Sequence, residues 1–237
     1  MKYLDRFNES DLIFFDIETA AQVKKLKKGT PLWDAWEYKC RNENEHLRKT
    51  GEVLSNEEYY ENKSALYAVF GQVVAIVAGR IDGNTLKTKK YTSKKEADML
   101  NNFNSDLQLM FNTNPASVLC GWANIGFDGP FLAKRMIVHS IKPSHLLDVA
   151  GSKPWEIPAV DLKDLWKGTG FYPDSLIATA VALGLPSPKN KMDGSQVSEA
   201  FFAGKLTEIA DYCEQDVLTV ANIYRKFQNK SLVSLVK

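Results

Sequence analysis

The sequence predicts an α/β fold: a mixed sheet of five or six strands flanked by helices, with a helical insertion after the first strand. Three observations lead there. Residues 12–17 (LIFFDI) form a short apolar run without alternation, as in a strand buried on both faces at the centre of a sheet. Residues 73–81 and 85–92 read as two more strands with a turn signal between them. Beyond residue 96, helical and strand patterns alternate. Strands first and alternation afterwards is the order of a mixed sheet with helices on both faces.

The elements follow in chain order. Residues 20–66 change character to charged and aromatic, with Lys24, Lys25, Lys27 and Lys28 followed by Trp33, Trp36 and Tyr38. Ser55 and Glu58 then form a capping-box signature for a helix, so this stretch is read as the helical insertion. Residues 73–81 (VVAIVAGRI), the turn Asp82-Gly83-Asn84 and residues 85–92 give an antiparallel hairpin leaning on the first strand. Met99, Phe103 and Met110 fall at helical spacing over 96–111, and residues 117–122 (SVLCGW) read as a buried fourth strand. A helix over 127–139 starts beside Asp128, and residues 146–165 hold one more short strand among turns. The remainder is expected to be helical, clearest at 176–183 and 206–227, with a loop over 186–198 between them. No repeat or linker-like stretch appears, so residues 1–237 are expected to form one domain.

Composition narrows the function classes. The 30 lysines and arginines nearly balance 29 aspartates and glutamates over 237 residues, which excludes a broad basic field for coating nucleic acid. Any nucleic-acid contact is therefore expected at a local cleft. Cys40, Cys120 and Cys213 are too scattered for a CxxC pair or a disulfide framework, and the histidines do not fall at zinc-ligand spacing with them. Residues 1–10 lack the apolar core of a signal peptide, and no run approaches the roughly 20 apolar residues of a membrane span. A cytoplasmic, soluble protein is the expectation.

Three short patterns carry candidate chemistry. Asp16 and Glu18 are two apart on a strand, so both carboxylates project from one face near its C-terminal end. Strands often end in solvated acids, but an acid pair growing out of Phe14, Phe15 and Ile17 needs a compensating cation or partner. In Gly121-Trp-Ala-Asn124-Ile-Gly-Phe127-Asp128 a buried strand runs into a turn, and Asp128 stands at a helix start, where it could be no more than an N-cap. Tyr212 and Asp216 sit at i and i+4 of a long helix and look at the same point, although a core-edge tyrosine and a solvated aspartate give the same spacing. Ile209, Val217, Val220 and Ile223 supply that helix's core stripe. Four acids in apolar surroundings form an all-oxygen set suited to Mg²⁺ or Mn²⁺, and a pair of such ions about 3.5–4 Å apart is the apparatus of phosphodiester hydrolysis.

The ordered set Phe-Asp16-Ile-Glu18-Thr, Asn124-x-x-Phe127-Asp128 and Tyr212-x-x-x-Asp216 resembles the three exonuclease motifs of the DEDD superfamily, in the tyrosine subgroup that includes proofreading domains of B-family DNA polymerases. The chain is most similar to free-standing predicted 3′–5′ exonucleases related to that polymerase domain, over nearly its whole length. The segment from Asp193 to Val197 and the run from Glu208 to Val217 share the likeness. The resemblance implies a ribonuclease-H-like fold, two Mg²⁺ or Mn²⁺ ions on Asp16, Glu18, Asp128 and Asp216, and Tyr212 positioning the attacking water. It also implies substrate contacts near Thr19, with Asn124 and Phe127 shaping the substrate side. The implied partner is the 3′ end of single-stranded DNA or RNA, DNA ahead of RNA, cut to nucleoside 5′-monophosphates.

Other readings stay open beside this one. The same fold could serve as a catalytically weak nucleic-acid-binding module, or act on RNA or short oligonucleotides. Trp33, Trp36 and Tyr38 with the neighbouring lysines could form a lid that stacks on bases, or the tryptophans could be a helix's core face and the lysines its solvated side. Lys189 and Lys191 could reach phosphates from the 186–198 loop or simply be solvated. Asp161 reads as a helix start with Leu162, Leu165 and Trp166 behind it, or as support for a metal ligand.

Overall fold

The structure, a computed structural model, describes residues 1–50, 54–153, 155–172, 174–186 and 192–236; of residues 42–50 only the backbone is described. Strand β1 (Leu12–Ala21) leads into helices α1 (Pro31–Thr50) and α2 (Asn56–Lys63). Then come β2 (Gly71–Asp82), β3 (Thr85–Tyr91), α3 (Glu96–Thr113), β4 (Val118–Gly121) and α4 (Asp128–Val138). The chain continues through β5 (Ala159–Asp161), α5 (Leu162–Lys167), α6 (Leu176–Ala182), α7 (Val197–Phe202), α8 (Leu206–Phe227) and β6 (Ser234–Leu235). The six strands form one mixed sheet in the order β5-β4-β1-β2-β3-β6. β1 runs antiparallel to β2 and parallel to β4, and β5 is parallel to β4.

Central placement explains the apolar sequence of β1. Ile13, Phe15 and Ile17 pack towards α3 and α4 with Phe103, Leu107, Phe131 and Leu132. Leu12 and Phe14 face the opposite way, onto Val217, Val220 and Tyr224 of α8. Ala20 continues that second column against Ile209 and Ala210. Asp16 and Glu18 therefore interrupt an otherwise apolar column that faces α8. This column is where the site lies.

Several expectations need correction. β1 runs on to Ala21 instead of ending near Ile17, so the connection to β2 begins at residue 22 and extends to residue 70. Only β2 and β3 make the predicted tight turn, with Gly83 at φ +60. The C-terminal part is not wholly helical: β6 pairs parallel with β3 over Thr85↔Ser234 and Leu86↔Leu235. A two-residue strand stabilised by pairing with a distant partner leaves no local pattern to read. The 186–198 loop is also shorter than expected, because the Asp193 and Gln196 side chains form a capping box that starts a turn at Gly194 and leads into α7.

The insertion is helical as expected, and the Ser55–Glu58 capping box opens α2. Its aromatics have their own small core. Trp36 is fully buried among Tyr59, Tyr60 and Phe70, with its indole N–H donating to the Asn56 carbonyl, and Trp33 is buried beside it. The two tryptophans are thus unavailable to stack on bases, which removes them, though not Tyr38, from the lid idea. Tyr38 is exposed. Among the described residues, no helix is long and apolar enough to cross a membrane.

Candidate active site

The site forms where the C-terminal half of β1 meets α4 and α8. Asp16 and Glu18 point from the same face of β1, as the two-residue spacing requires. Just after them the register with β2 slips: Glu18 pairs with Ala75 but Thr19 pairs with Val73, so Val74 is the extra residue of a bulge. Bulges re-aim side chains, and this one lies directly beneath the acid pair. Thr19 is left partly exposed at the site's edge.

Asp128 arrives from the other side of the sheet. It is the first residue of α4 rather than its cap, and its Oδ1 accepts the amide of Ile17 at 3.2 Å, between the two β1 acids. The bland N-cap reading therefore fails. The turn that delivers it is tightly built. A Cβ on Gly121 would stand 2.7 Å from the Asn124 Cβ, and Ala123 holds a left-handed φ of +63. Asp161 holds this turn: its carboxylate accepts from the amides of Ala123 at 2.9 Å and Ile125 at 3.1 Å while also capping α5 through Lys163 and Asp164. Helix start and support for the turn that delivers Asp128 are therefore one residue's work.

The third element is α8. Thr88 and Lys90 of β3 bond Glu214, and Lys90 also pairs with Asp211, fixing the helix's rotation over the sheet. Tyr212 and Asp216 then face the β1 acids, with the tyrosine hydroxyl close enough to Asp216 to favour its ionised form. Cys213 lies fully buried under Asp16, its sulfur 3.3 Å from the Asp16 carbonyl oxygen and 3.5 Å from Oδ2. Its donor atom and those of Asp16 and Glu18 lie within 4.8 Å of one another. The sequence reading passed over Cys213 for want of a second cysteine; its place three residues before Asp216 on the same helix was the available signal.

Electrostatically the four carboxylates are under-compensated. Burial, followed by repulsion from Asp128, Glu18 and Asp216, holds the Asp16 carboxyl well above its ordinary range. Burial, then Asp216 and Asp128, does the same for Glu18. Burial pushes Asp128 up to about 7, against the lowering effect of its backbone bonds, and pushes Asp216 up to about 6, against the Tyr212 hydrogen bond. Tyr212 and Cys213 are both raised, by burial first and by the neighbouring acids second. Among the described residues no lysine, arginine or histidine forms an ion pair with any of the four. Such a set is costly unless a cation enters it, and oxygen donors in this number suit Mg²⁺ or Mn²⁺. The donor chemistry fits such ions.

The remaining candidates are placed unevenly. Asn124 is buried, and its side-chain oxygen meets no donor. Phe127 is partly buried on the rim of a cavity of about 170 Å³ shared with Leu66, Val69 and Pro130. Lys189 and Lys191 lie outside the described residues.

A ribonuclease-H-like α/β sheet with clustered acids at its centre defines the class of the molecule. Residues 64–232 match the family described as predicted 3′-5′ exonucleases related to the exonuclease domain of PolB, and the chain belongs to that family. The matched span includes Asp128, Tyr212 and Asp216; Asp16 and Glu18 precede it. Among solved structures the fold is similar to the family B DNA polymerase from the hyperthermophilic archaeon Pyrobaculum calidifontis, with a TM-score of 0.58 at 15% identity. That likeness covers 92% of this chain and 24% of the polymerase, so the chain spans about a quarter of that protein. No curated protein matches it.

Proposed function

We propose that this chain is a metal-dependent 3′–5′ exonuclease of the DEDD tyrosine subgroup that acts on the 3′ end of a single strand, DNA ahead of RNA. Residues 1–237 work as one exonuclease domain, and the buried thiols, none in a disulfide, suit a reducing cytoplasmic setting. The observation that supports the reading is that Asp16 and Glu18 of β1, Asp128 of α4 and Asp216 of α8 lie near enough to repel one another, Asp128 bonding the Ile17 amide between the β1 acids, with no cation partner among the described residues.

Those four carboxylates would hold two Mg²⁺ or Mn²⁺ ions. When bound, the ions supply activation of water near neutral pH and stabilisation of charge on the leaving oxygen. The protein's own groups do the rest. The Tyr212 hydroxyl, kept protonated far above neutral pH, orients the water for in-line attack beside Asp216. The water oxygen bonds to phosphorus as the P–O3′ bond breaks, the departing O3′ of the shortened strand takes a proton from solvent, configuration at phosphorus inverts, and a nucleoside 5′-monophosphate leaves. Asn124, buried under the turn at Gly121, and Phe127 shape the substrate side of the site, and the backbone around Thr19 meets the terminal nucleotide. Lys191 is proposed to approach a phosphate.

The test uses 5′-labelled single strands of DNA and of RNA, each with Mg²⁺, Mn²⁺ or EDTA. A ladder that shortens from the 3′ end only when metal is present supports the reading, and the faster strand names the substrate. Rapid cutting in EDTA, or binding of strands without any cutting, rejects it.

A further inference from the structure

We infer that residues 22–30 form a fixed basic ledge that binds the phosphates of the substrate strand upstream of its 3′ terminus, a second nucleic-acid subsite. This deepens the exonuclease reading and rests on it. Between Glu18 and Asp34 the chain has no acidic residue and four lysines, Lys24, Lys25, Lys27 and Lys28, in a protein whose formal net charge is only +1. A local excess of this kind is what a neutral protein needs to draw a polyanion towards a cluster of carboxylates.

The ledge is held rigidly from below. The Gln22 amide donates to the Phe70 carbonyl, the Gln22 side chain reaches the Val69 and Gly71 carbonyls, and the Gln72 side chain returns to Ala21. The Val23 amide donates to the Tyr60 hydroxyl, and Leu26 is buried with Trp33 and Trp36. Thr30 closes the segment by donating to the Lys27 carbonyl and accepting the Trp33 amide. With Leu26 as anchor, the lysine pairs on either side of it stand exposed. The insertion's aromatic core therefore serves to display lysines, not to stack on bases.

Two features set these lysines apart from an ordinary solvated face. No carboxylate of the described residues pairs with Lys24, Lys25 or Lys27, and Lys28 has an exposed contact with Glu57 at 3.7 Å and lies 5.2 Å from the centre of the Trp33 ring. The lysines of β3 are neutralised by contrast: Lys87 by Asp82, Lys89 by Asp106, and Lys90 by Asp211 and Glu214. Position is the second feature. The ledge leaves β1 after Ala21, three residues beyond Glu18, so six residues, at most about 22 Å of chain, separate Lys24 from the acid pair. A strand with its 3′ end on the acids passes within reach.

The experiment compares the parent with a variant in which all four lysines become glutamine, and with a control carrying Lys2→Gln and Lys226→Gln. Binding of a fluorescein-labelled oligothymidylate of about twenty nucleotides is followed by anisotropy in Ca²⁺ over rising KCl. Four lost phosphate contacts make the slope of log K against log salt less negative by about 2–3 and weaken binding at least about tenfold at low salt. In Mg²⁺, the ratio of kcat/KM for that strand over a dinucleotide falls by a similar factor, through KM. A quadruple variant with the parent's salt slope, or a control that loses as much, overturns the ledge. A parent that binds with the lysine-dependent slope but releases no nucleotide upholds the ledge and rejects the exonuclease reading.

Discussion

Exchanging Asp128 for asparagine should stabilise the metal-free protein while destroying its response to metal. The folded state holds the Asp128 carboxyl at about 7, against 3.8 for an exposed one, chiefly because it is buried. Between these values the unfolded chain has released its proton and the folded chain has not. The unfolded state then binds fewer protons, so stability falls as pH rises from about 4 to about 7 and stays low above. At about 1.4 kcal/mol per pH unit the full cost at pH 8 is roughly 4 kcal/mol. Asparagine carries no charge to bury and keeps an oxygen for the Ile17 amide. In EDTA at pH 8 the Asp128→Asn variant should therefore melt up to about 8–16 °C above the parent, and the gap should close near pH 4. Added Mn²⁺ should raise the parent's melting temperature by mass action and leave the variant nearly unmoved. Thermal melts at three pH values, with EDTA and with Mn²⁺, decide the matter. A variant less stable than the parent at pH 8 in EDTA, or stabilised equally by Mn²⁺, would refute the reasoning.

Four further perturbations probe the parts around that carboxylate. Tyr212→Phe should lower kcat about 10²-fold and preserve the Mn²⁺-induced rise in melting temperature, since only the hydroxyl that orients water is lost; an unchanged kcat in a stopped assay would remove that role. Asp161→Ala strips four backbone amides of their acceptor and should cost roughly 2–4 kcal/mol with a matching loss of activity, read by urea unfolding and rate together. Gly121→Ala places a carbon 2.7 Å from the Asn124 Cβ, and should cost about 1–3 kcal/mol while raising KM for oligonucleotides. Trp36→Ala empties the centre of the insertion's core and should cost about 3–5 kcal/mol by denaturant titration; a negligible loss would return Trp36 to the surface and to the lid.

How legible the molecule was from its sequence depended on how local each cause is. The spacing of Asp16 and Glu18 on a doubly buried strand, the four-residue spacing of Tyr212 and Asp216, and the Ser55–Glu58 capping box all act within a few residues, and each reappears in the structure. What the sequence hid is long-range. β6 exists only because residues 234–235 meet β3, and the bulge at Val74 is a property of the β1–β2 register. Asp161 showed its helix cap locally, but its bonds to the 123–125 turn depend on β5 lying beside β4. Cys213 acquires its place only when α8 docks on β1 and sets its sulfur under Asp16. The tryptophans of the insertion were ambiguous for the same reason, since core and lid demand the same residue types and differ only in what packs against them.

The most direct test of the central claim is the release of mononucleotides from a 5′-labelled single strand by the parent, Asp16→Asn and Asp216→Asn, each with its Mn²⁺ stoichiometry measured on the same preparation. The account predicts two Mn²⁺ ions per parent chain, a ladder shortening from the 3′ end, and loss of both the ladder and at least one ion in either variant. Full cutting by a variant that has lost its metal, or a parent that holds two ions and cuts nothing, would contradict it.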